Sequence, residues 1–339
     1  MPSYPENVDI EQWIAKEIPE PALEPDLPII DPHHHLWDQR QFPKRPESFR
    51  QEVYLCEEIS NDIGESGHNV VQTVFAQCGA FYRADGPEEM RCVGETDFVH
   101  GVAAMSRAGL YGDVRLCTGI FSTVDLRSGE AAEPVVEAQL AASENFRGIR
   151  SAFPSDLNDQ FLAGFALLQK YNLSYDNWSP DFTRLPTLAE LANKFPEVTI
   201  IVNHLGGQID PNADEETVAE WRRCIDAVAA CPNAVMKTGG AQMRVGPWEP
   251  AYHMHQADAP MGSEAFCEIL YPFYSYVMEA FGPERCMFES NFPVDKECIS
   301  YGTLWNLFKR IAAKAGLSDA EKTAMFSGTA ARAYRLQAP

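Results

Sequence analysis

Short apolar runs alternate along this chain with longer segments whose apolar residues recur at helical spacing. The short runs are rich in β-branched residues and end in polar ones, which is typical of strands buried in a parallel sheet. They predict eight strands, at residues 29–31, 70–77, 115–121, 146–150, 173–176, 198–203, 234–238 and 285–289. The helical pattern covers residues 93–108, 133–142, 157–170, 185–195, 216–230, 264–281, 301–314 and 318–336.

Strands that alternate with helices indicate parallel β-α-β units. Eight such units favour an α/β fold of the (β/α)8 TIM-barrel type, whose active site lies at the carboxyl ends of the strands. An open doubly wound sheet is the competing topology, but no glycine-rich nucleotide motif follows the first strand. Residues 1–28 are rich in proline and lack a period, so we expect an N-terminal arm that wraps the barrel or is loosely ordered. Residues 29–339 then form one domain.

The amino-acid composition limits the classes of molecule that this protein is expected to bind. The net charge is -22 and no basic block is present, which argues against nucleic acid and anionic membranes. An anionic small-molecule substrate then requires local arginine or lysine. Three features predict a cytoplasmic protein. The nine cysteines are scattered and form no C-x-x-C pair, no basic and apolar leader pattern is seen, and no run reaches about 20 apolar residues. Association into a homo-oligomer stays open.

Reactive side chains gather where the predicted strands end, as a barrel enzyme requires. Strand one runs into His33 and His35, which are two residues apart and therefore share a face on which one metal ion or one substrate can bind. The ends of strands four to eight carry Arg150, Asp176, Trp178, His204, Lys237, Glu289, Asn291 and Asp295.

These motifs resemble the amidohydrolase superfamily, in the amidohydrolase-related (amidohydrolase 2) branch that includes sugar-acid lactonases and the 2-pyrone-4,6-dicarboxylate lactonase. Residues 31–38 match its opening D-x-H-x-H-x-W-D, residues 148–150 its G-I-R, and residues 203–206 its N-H-x-G. Residues 289–293 approximate the closing G-S-D-x-P, with Asn291 in place of the aspartate. The resemblance implies that the strand-one histidines and a strand-eight acid flank a water or a metal.

Asn291 changes the expected chemistry, because an amide cannot act as a general base near neutral pH. Glu289 or Asp295, both close in sequence, are candidates to replace the family's aspartate as catalytic base. A histidine is another, from His33, His35, His204 or the pair His253 and His255. The third alternative is a site that moves a proton or eliminates water without hydrolysis.

The same residues predict the cofactor. His33, His35 and His204 would supply imidazoles to one divalent metal ion, zinc or manganese, and Asn291 or Asp176 an oxygen. In the metal-free alternative, the histidines donate hydrogen bonds to the substrate carbonyl.

Several residues are candidates for binding the substrate, among them Asp176 and Trp178. The guanidinium of Arg150 suits a carboxylate, unless it is paired with Asp176. Lys237 would act as a second cation or neutralise a neighbouring acid. Tyr82 and Arg83, in the loop after strand two, would cap the pocket. Residues 244–262 form a long insertion predicted to be a lid or an oligomer contact, with Trp248, Tyr252, His253 and His255.

Three functions follow. The first is hydrolysis of a small carboxylated substrate, a lactone or similar cyclic ester. The second is a lactone isomerase or lyase on the same scaffold, in which a neutral Asn291 binds an enol or oxyanion. The third is a catalytically silent binding protein.

Overall fold

Eight parallel strands form the barrel in this computed structural model, which describes residues 10–40, 51–241 and 258–339. Each strand pairs with its neighbour in the chain, in the order β1 (Ile29–His34), β2 (Val70–Ala76), β3 (Arg115–Ser122), β4 (Phe146–Ile149), β5 (Ser174–Asn177), β6 (Ile200–Val202), β7 (Ala234–Lys237) and β8 (Cys286–Met287). The first strand meets the segment after β8 through a parallel bridge between His34 and Phe292. The predicted (β/α)8 barrel is therefore confirmed.

Apart from α1, which precedes β1, the helices follow strands, and most of them cover the outside of the barrel. They are α1 (Ile10–Ile14), α2 (Cys56–Glu65), α3 (Val93–Arg107), α4 (Glu133–Ala142), α5 (Asp159–Lys170), α6 (Leu185–Lys194), α7 (Glu215–Ala229), α8 (Ser263–Phe281), α9 (Tyr301–Lys314), α10 (Asp319–Thr323) and α11 (Thr329–Ala333). The pattern did not predict α2, because its buried stripe consists of Cys56, Ile59 and Ile63 alone. The single helix predicted at 318–336 is instead α10 and α11, joined by a π-helical turn at Ala324–Gly328. Within the described residues, no helix is long and apolar enough to cross a membrane.

The N-terminal arm packs against the barrel over residues 10–28. Ile10 and Trp13 of α1 are buried. The Glu20 carboxylate accepts the backbone N–H of Ser263 at 2.7 Å, at the start of α8. Glu17 hydrogen-bonds the hydroxyl of Ser300, the N-cap of α9. Helix N-termini leave N–H groups unpaired and favour negative charge, so the arm satisfies the starts of two helices.

The interior of the barrel is filled by its own small apolar cluster. It contains Ile30, Val74, Phe121, Ile201 and Met287 from five strands, and Tyr334 from the C-terminal segment. Tyr334 reaches through this cluster, and its hydroxyl donates to Asp176 Oδ1 at 2.6 Å. The carboxyl ends of the strands are left open above these residues.

Candidate active site

A cleft of about 270 Å³ opens at the carboxyl ends of the strands. Its walls come from the loops after β1, β2, β4, β5, β6 and β8. The lining residues are His35, Trp37, Gln39, Gln77, Cys78, Arg150, Trp178, His204, Asn291 and Val294. Five of the side chains proposed from the sequence therefore meet in one cleft: His35, Arg150, Trp178, His204 and Asn291.

His204 and Glu289 form a buried pair beside this cleft. After β6 the chain turns through left-handed conformations, with φ of 55° at both His204 and Leu205. Such backbone is rare outside glycine and is concentrated at functional sites. The turn brings His204 Nδ1 to 2.7 Å from Glu289 Oε1. Burial lowers the pKa of His204, and Glu289 partly offsets this effect. His204 is thus a neutral imidazole that donates from Nδ1 and keeps Nε2 for a ligand.

Two glycines after β7 make room for that pair. A Cβ at Gly239 would lie 2.3 Å from the Glu289 carbonyl oxygen and 2.4 Å from its Cγ. A Cβ at Gly240 would lie 2.3 Å from His204 Nδ1, and Gly240 also has a φ of +68°. Any side chain at either position would collide with the pair.

The Nε2 atoms of His33 and His35 lie 3.3 Å apart, within hydrogen-bonding distance. His35 Nδ1 lies 2.9 Å from the Ala76 carbonyl oxygen, so it carries the proton and Nε2 has a free lone pair. Burial holds the pKa of both histidines well below the usual value. Both are therefore neutral, as a metal ligand or a hydrogen-bonding imidazole must be.

Lys237 and Asp176 lie beneath the cleft rather than in its wall. Lys237 Nζ is buried 3.0 Å from Asp176 Oδ1, 3.2 Å from Asn203 Oδ1 and 3.1 Å from His33 Nδ1. Lys237 and Asp176 are strand residues, and their side chains point into the barrel. The predicted substrate contacts by Asp176 and Lys237 are accordingly corrected: these residues support His33 from below, and Lys237 neutralises Asp176.

Glu289 Oε2 has contacts but no hydrogen bond. It lies 2.9 Å from His33 Nδ1 and 3.9 Å from Lys237 Nζ, and only the second contact joins two charged groups. The His33 ring is not aligned to donate to it, and within the described residues this buried oxygen has no hydrogen-bond partner. A buried carboxylate oxygen without a donor is one that a cation or a water would satisfy.

These donors fit a divalent cation in two groupings. His33, His204 and Glu289 each offer one ligand atom, and these atoms lie within 4.8 Å of one another. The Nε2 atoms of His33 and His35 are 3.3 Å apart, close to the spacing of about 3.3 Å between two nitrogens around tetrahedral zinc with bonds of about 2.0 Å. His204 Nδ1 is already engaged by Glu289, so Nε2 is the His204 atom that remains for an ion in the first grouping.

Arg150 lines the cleft without a carboxylate in contact; burial lowers its pKa, and the charges of Asp176 and Glu289 partly offset this effect. Its Nη1 donates to the Gln77 carbonyl oxygen at 3.1 Å. Within the part of the chain that the structure describes, no carboxylate lies within 4 Å of the guanidinium, so the ion pair with Asp176 that the sequence left open is not formed. The remaining N–H donors of Arg150 are available to an anion in the cleft.

Glu95 supports Arg150 and was not identified from the sequence. Its buried Oε1 accepts the backbone N–H groups of Cys78, Gly79 and Ala80 at 3.1, 2.8 and 3.0 Å. These bonds fix the loop whose Gln77 carbonyl binds Arg150. Burial raises the pKa of Glu95 to about 7. The sequence feature that could have indicated a role for Glu95 is its position on the buried stripe of α3, beside Val99 and Val102.

Asn291 lies in the cleft wall, at the position where the sequence resemblance implies an aspartate. Its φ is 54°, its backbone N–H donates to the His33 carbonyl at 2.8 Å, and its Nδ2 donates to Asp295 Oδ1 at 2.9 Å. Asp31 fastens the same segment to β1 by accepting the Ser290 N–H at 3.0 Å and hydroxyl at 2.6 Å. The amide of Asn291 is therefore held in one orientation.

The outer candidates divide into three cases. Trp178 packs edge-on against His204, with ring centres 4.7 Å apart. Tyr82 and Arg83 do not line the cleft: Tyr82 is 39% exposed, and Arg83 is paired with Asp97 at 2.6 Å on the surface. Tyr82 does hydrogen-bond the side chain of Gln77 in the cleft wall, and the role of the two residues as a cap stays a prediction. His253, with most of the predicted lid, lies outside the described residues.

Comparison with known proteins supplies the family. A family model described as amidohydrolase matches residues 114–336. An uncharacterized Sinorhizobium fredii protein, y4mH, is 32% identical over 92% of this chain and 99% of its own length. An L-fucono-1,5-lactonase from Burkholderia multivorans is 29% identical over 63% of this chain and 70% of its own length. The fold resembles a Burkholderia multivorans amidohydrolase crystallised with bound zinc, at a TM-score of 0.70 and 23% identity, covering 91% of this chain and 99% of that one.

Proposed function

The chain belongs to the amidohydrolase family, and on that basis we propose that it hydrolyses a small carboxylated lactone or similar cyclic ester. The observation that carries the proposal is Arg150, a guanidinium in the cleft wall with no carboxylate in contact among the described residues. An anionic group on the substrate would provide that contact. The lactonase name of one relative supports cyclic-ester chemistry.

A divalent cation, zinc or manganese, belongs to the proposal as a cofactor. His33 and His35 would hold it through Nε2, with Glu289 Oε2 as the nearest buried anionic oxygen that lacks a hydrogen bond. When bound, such an ion polarises the ester carbonyl as a Lewis acid. Lys237 lies 3.9 Å from Glu289 Oε2 and reduces the negative charge offered to a cation, so we expect moderate affinity.

The residues of the chain divide the hydrolytic work. Arg150 binds and orients the substrate carboxylate. His204 Nε2 takes the proton from the attacking water, and Glu289 stabilises the imidazolium through Nδ1, as the acid of a catalytic triad does. His204 then returns the proton to the ring oxygen that leaves the acyl carbon. In this mechanism Asn291 is an uncharged group of the cleft wall, and the base is a histidine.

The first test combines metal content with turnover. Purified protein is analysed for zinc and manganese, then offered five- and six-membered lactones with and without a second carboxylate, before and after chelation. We expect acid release on the carboxylated lactones and a fall in rate on chelation. In oxygen-18 water, each turnover should place one labelled oxygen in the product carboxylate.

The alternatives predict other results. An isomerase or lyase would convert the lactone without incorporating labelled oxygen into a new carboxylate. If the chain is a silent binding protein, the lactone would raise its melting temperature without being converted.

Glu289→Gln should reduce kcat by about 100-fold or more, because a neutral amide cannot stabilise the imidazolium. Arg83→Gln, which alters a surface ion pair, serves as the matched control.

A further inference from the structure

A second cleft opens at the opposite end of the barrel, where the strands begin. Its volume is about 430 Å³. It is formed by the first residues of β2, β3 and β4, by α3, and by the C-terminal segment after α11. The lining residues are Val71, Gln72, Ala103, Arg107, Arg115, Leu116, Thr118, Asn145, Arg147, Arg335, Leu336, Gln337 and Pro339. Four of these are arginines and none is acidic.

This arginine cleft is positively charged, whereas the net charge of the chain is negative. The sequence has 49 acidic residues and 27 lysines and arginines. Arg107 is paired with Glu144 at 2.8 Å, on an exposed rim. Among the residues described, no carboxylate lies within 4 Å of Arg115, Arg147 or Arg335. Three guanidinium groups thus lie in one cleft without an ion pair of their own, although the charge of Glu144, which pairs with Arg107, also acts on Arg147. A bound anion would supply the missing partner.

Main-chain carbonyls hold these guanidinium groups in place. Arg115 Nη1 donates to the Asp113 carbonyl at 2.9 Å, Arg147 Nη1 to the Glu144 carbonyl at 2.6 Å, and Arg335 Nη2 to the Arg147 carbonyl at 2.6 Å. Each contact uses one terminal nitrogen, whereas a guanidinium carries five N–H donors. The buried Nε of Arg147 has no hydrogen-bond partner among the described residues. The donors are therefore fixed in advance and largely unused.

We propose that the arginine cleft is a second ligand site, which binds a small organic phosphate dianion. A dianion matches three guanidinium groups without ion pairs better than a monocarboxylate, and the guanidinium fork suits phosphate oxygens. The apolar side chains of Val71, Ala103, Leu116 and Leu336 line the same cleft and provide a surface for an apolar body. The site is separate from the active cleft, because it lies at the amino ends of the strands.

Calorimetric titration with phenyl phosphate tests this site independently of the proposed hydrolysis. We expect saturable binding to the full chain with a Kd below about 1 mM. Arg147→Gln and Arg335→Gln should weaken it at least tenfold. Arg107→Gln should weaken binding by about threefold. This variant keeps the main-chain contacts of the other three arginines, so it tests the site even if Arg147→Gln or Arg335→Gln destabilises the fold. Arg150→Gln, in the active cleft, should bind phenyl phosphate as the unaltered protein does.

Three results would overturn the proposal. The first is the absence of saturable binding to the unaltered protein. The second is loss of binding in Arg150→Gln with retention in the cleft variants, which would place the phosphate in the active cleft. The third is equally tight binding of benzoate, which has the same ring and one charge fewer and would show that the dianion is not recognised.

Discussion

The proposed substrate choice rests on Arg150, so the most direct test at the scale of a single residue is Arg150→Lys. Lysine keeps the charge but loses the planar fork that binds a carboxylate through two parallel hydrogen bonds. We expect kcat/KM on a carboxylated lactone to fall about 10- to 100-fold, mainly through KM, which corresponds to about 1.4–3 kcal/mol. Steady-state kinetics on the carboxylated and neutral forms of one lactone measure the effect. An equal loss on the neutral lactone would mean that Arg150 shapes the cleft without binding an anion.

Glu95 predicts a specific dependence of stability on pH. Its pKa rises from 4.5 to about 7 on folding because the carboxyl is buried. Between these values the folded protein holds a proton that the unfolded chain has lost, so this group's contribution to stability falls as pH rises from 4.5 to 7 and then levels off. The total is on the order of 3 kcal/mol.

The Glu95→Gln variant isolates this contribution, since glutamine does not titrate. Urea denaturation of both proteins at several pH values from 4.5 to 8 gives the difference in the free energy of unfolding. We expect this difference to move in favour of the variant as pH rises to 7. Parallel pH profiles would mean that Glu95 stays ionised throughout, held by the N–H groups of Cys78, Gly79 and Ala80.

At the scale of elements, the sequence predicts the strands well and their last side chains poorly. Buried parallel strands are short β-branched runs, so their positions stand out between helices. The direction of a side chain near a strand end depends on where the strand stops, and a shift of one residue reverses it. Asp176 lies inside β5 and Lys237 ends β7, so both side chains enter the barrel. His204 lies beyond β6, in a left-handed turn, and reaches the cleft.

Residues that act on the site from a helix are harder still to predict. Glu95 is far from any strand end in sequence, and only the packing of α3 against the loop after β2 reveals its role. The pairing of His204 with Glu289 likewise depends on the space left by Gly239 and Gly240. These contacts join residues of different helices, strands and loops, so no local sequence pattern predicts them.

The N-terminal arm gives an element-scale prediction through Glu20. Its carboxylate accepts the Ser263 N–H at the start of α8 and the Asn306 side-chain amide of α9 at 3.2 Å. Replacing a carboxylate that caps a helix costs about 0.5–2 kcal/mol. We therefore expect Glu20→Ala to lower the free energy of unfolding by about that amount in denaturant titration. Glu190→Ala, on the exposed face of α6, should leave it unchanged. Equal stability of the two variants would mean that the arm does not support the barrel.

On the scale of the whole molecule, charge is distributed unevenly over a strongly acidic protein. The chain carries a net charge of -22, yet the active cleft exposes Arg150 and the amino end of the barrel exposes four arginines. Composition alone predicts repulsion of anions and cannot locate these exceptions. The proposed anionic substrate would therefore meet an unfavourable long-range field and a favourable contact at short range.

Ionic strength separates these two effects. Salt at physiological concentration screens exposed charges beyond about 8 Å but weakens a contact in a partly buried cleft much less. We expect kcat/KM for a carboxylated lactone to rise about two- to threefold between roughly 10 mM and 150 mM salt, because screening removes the long-range repulsion. The neutral form of the same lactone should be insensitive to salt and serves as the control. A fall in kcat/KM for the carboxylated form alone would show that the field at the cleft mouth is positive, and that Arg150 acts with further cations to attract the substrate.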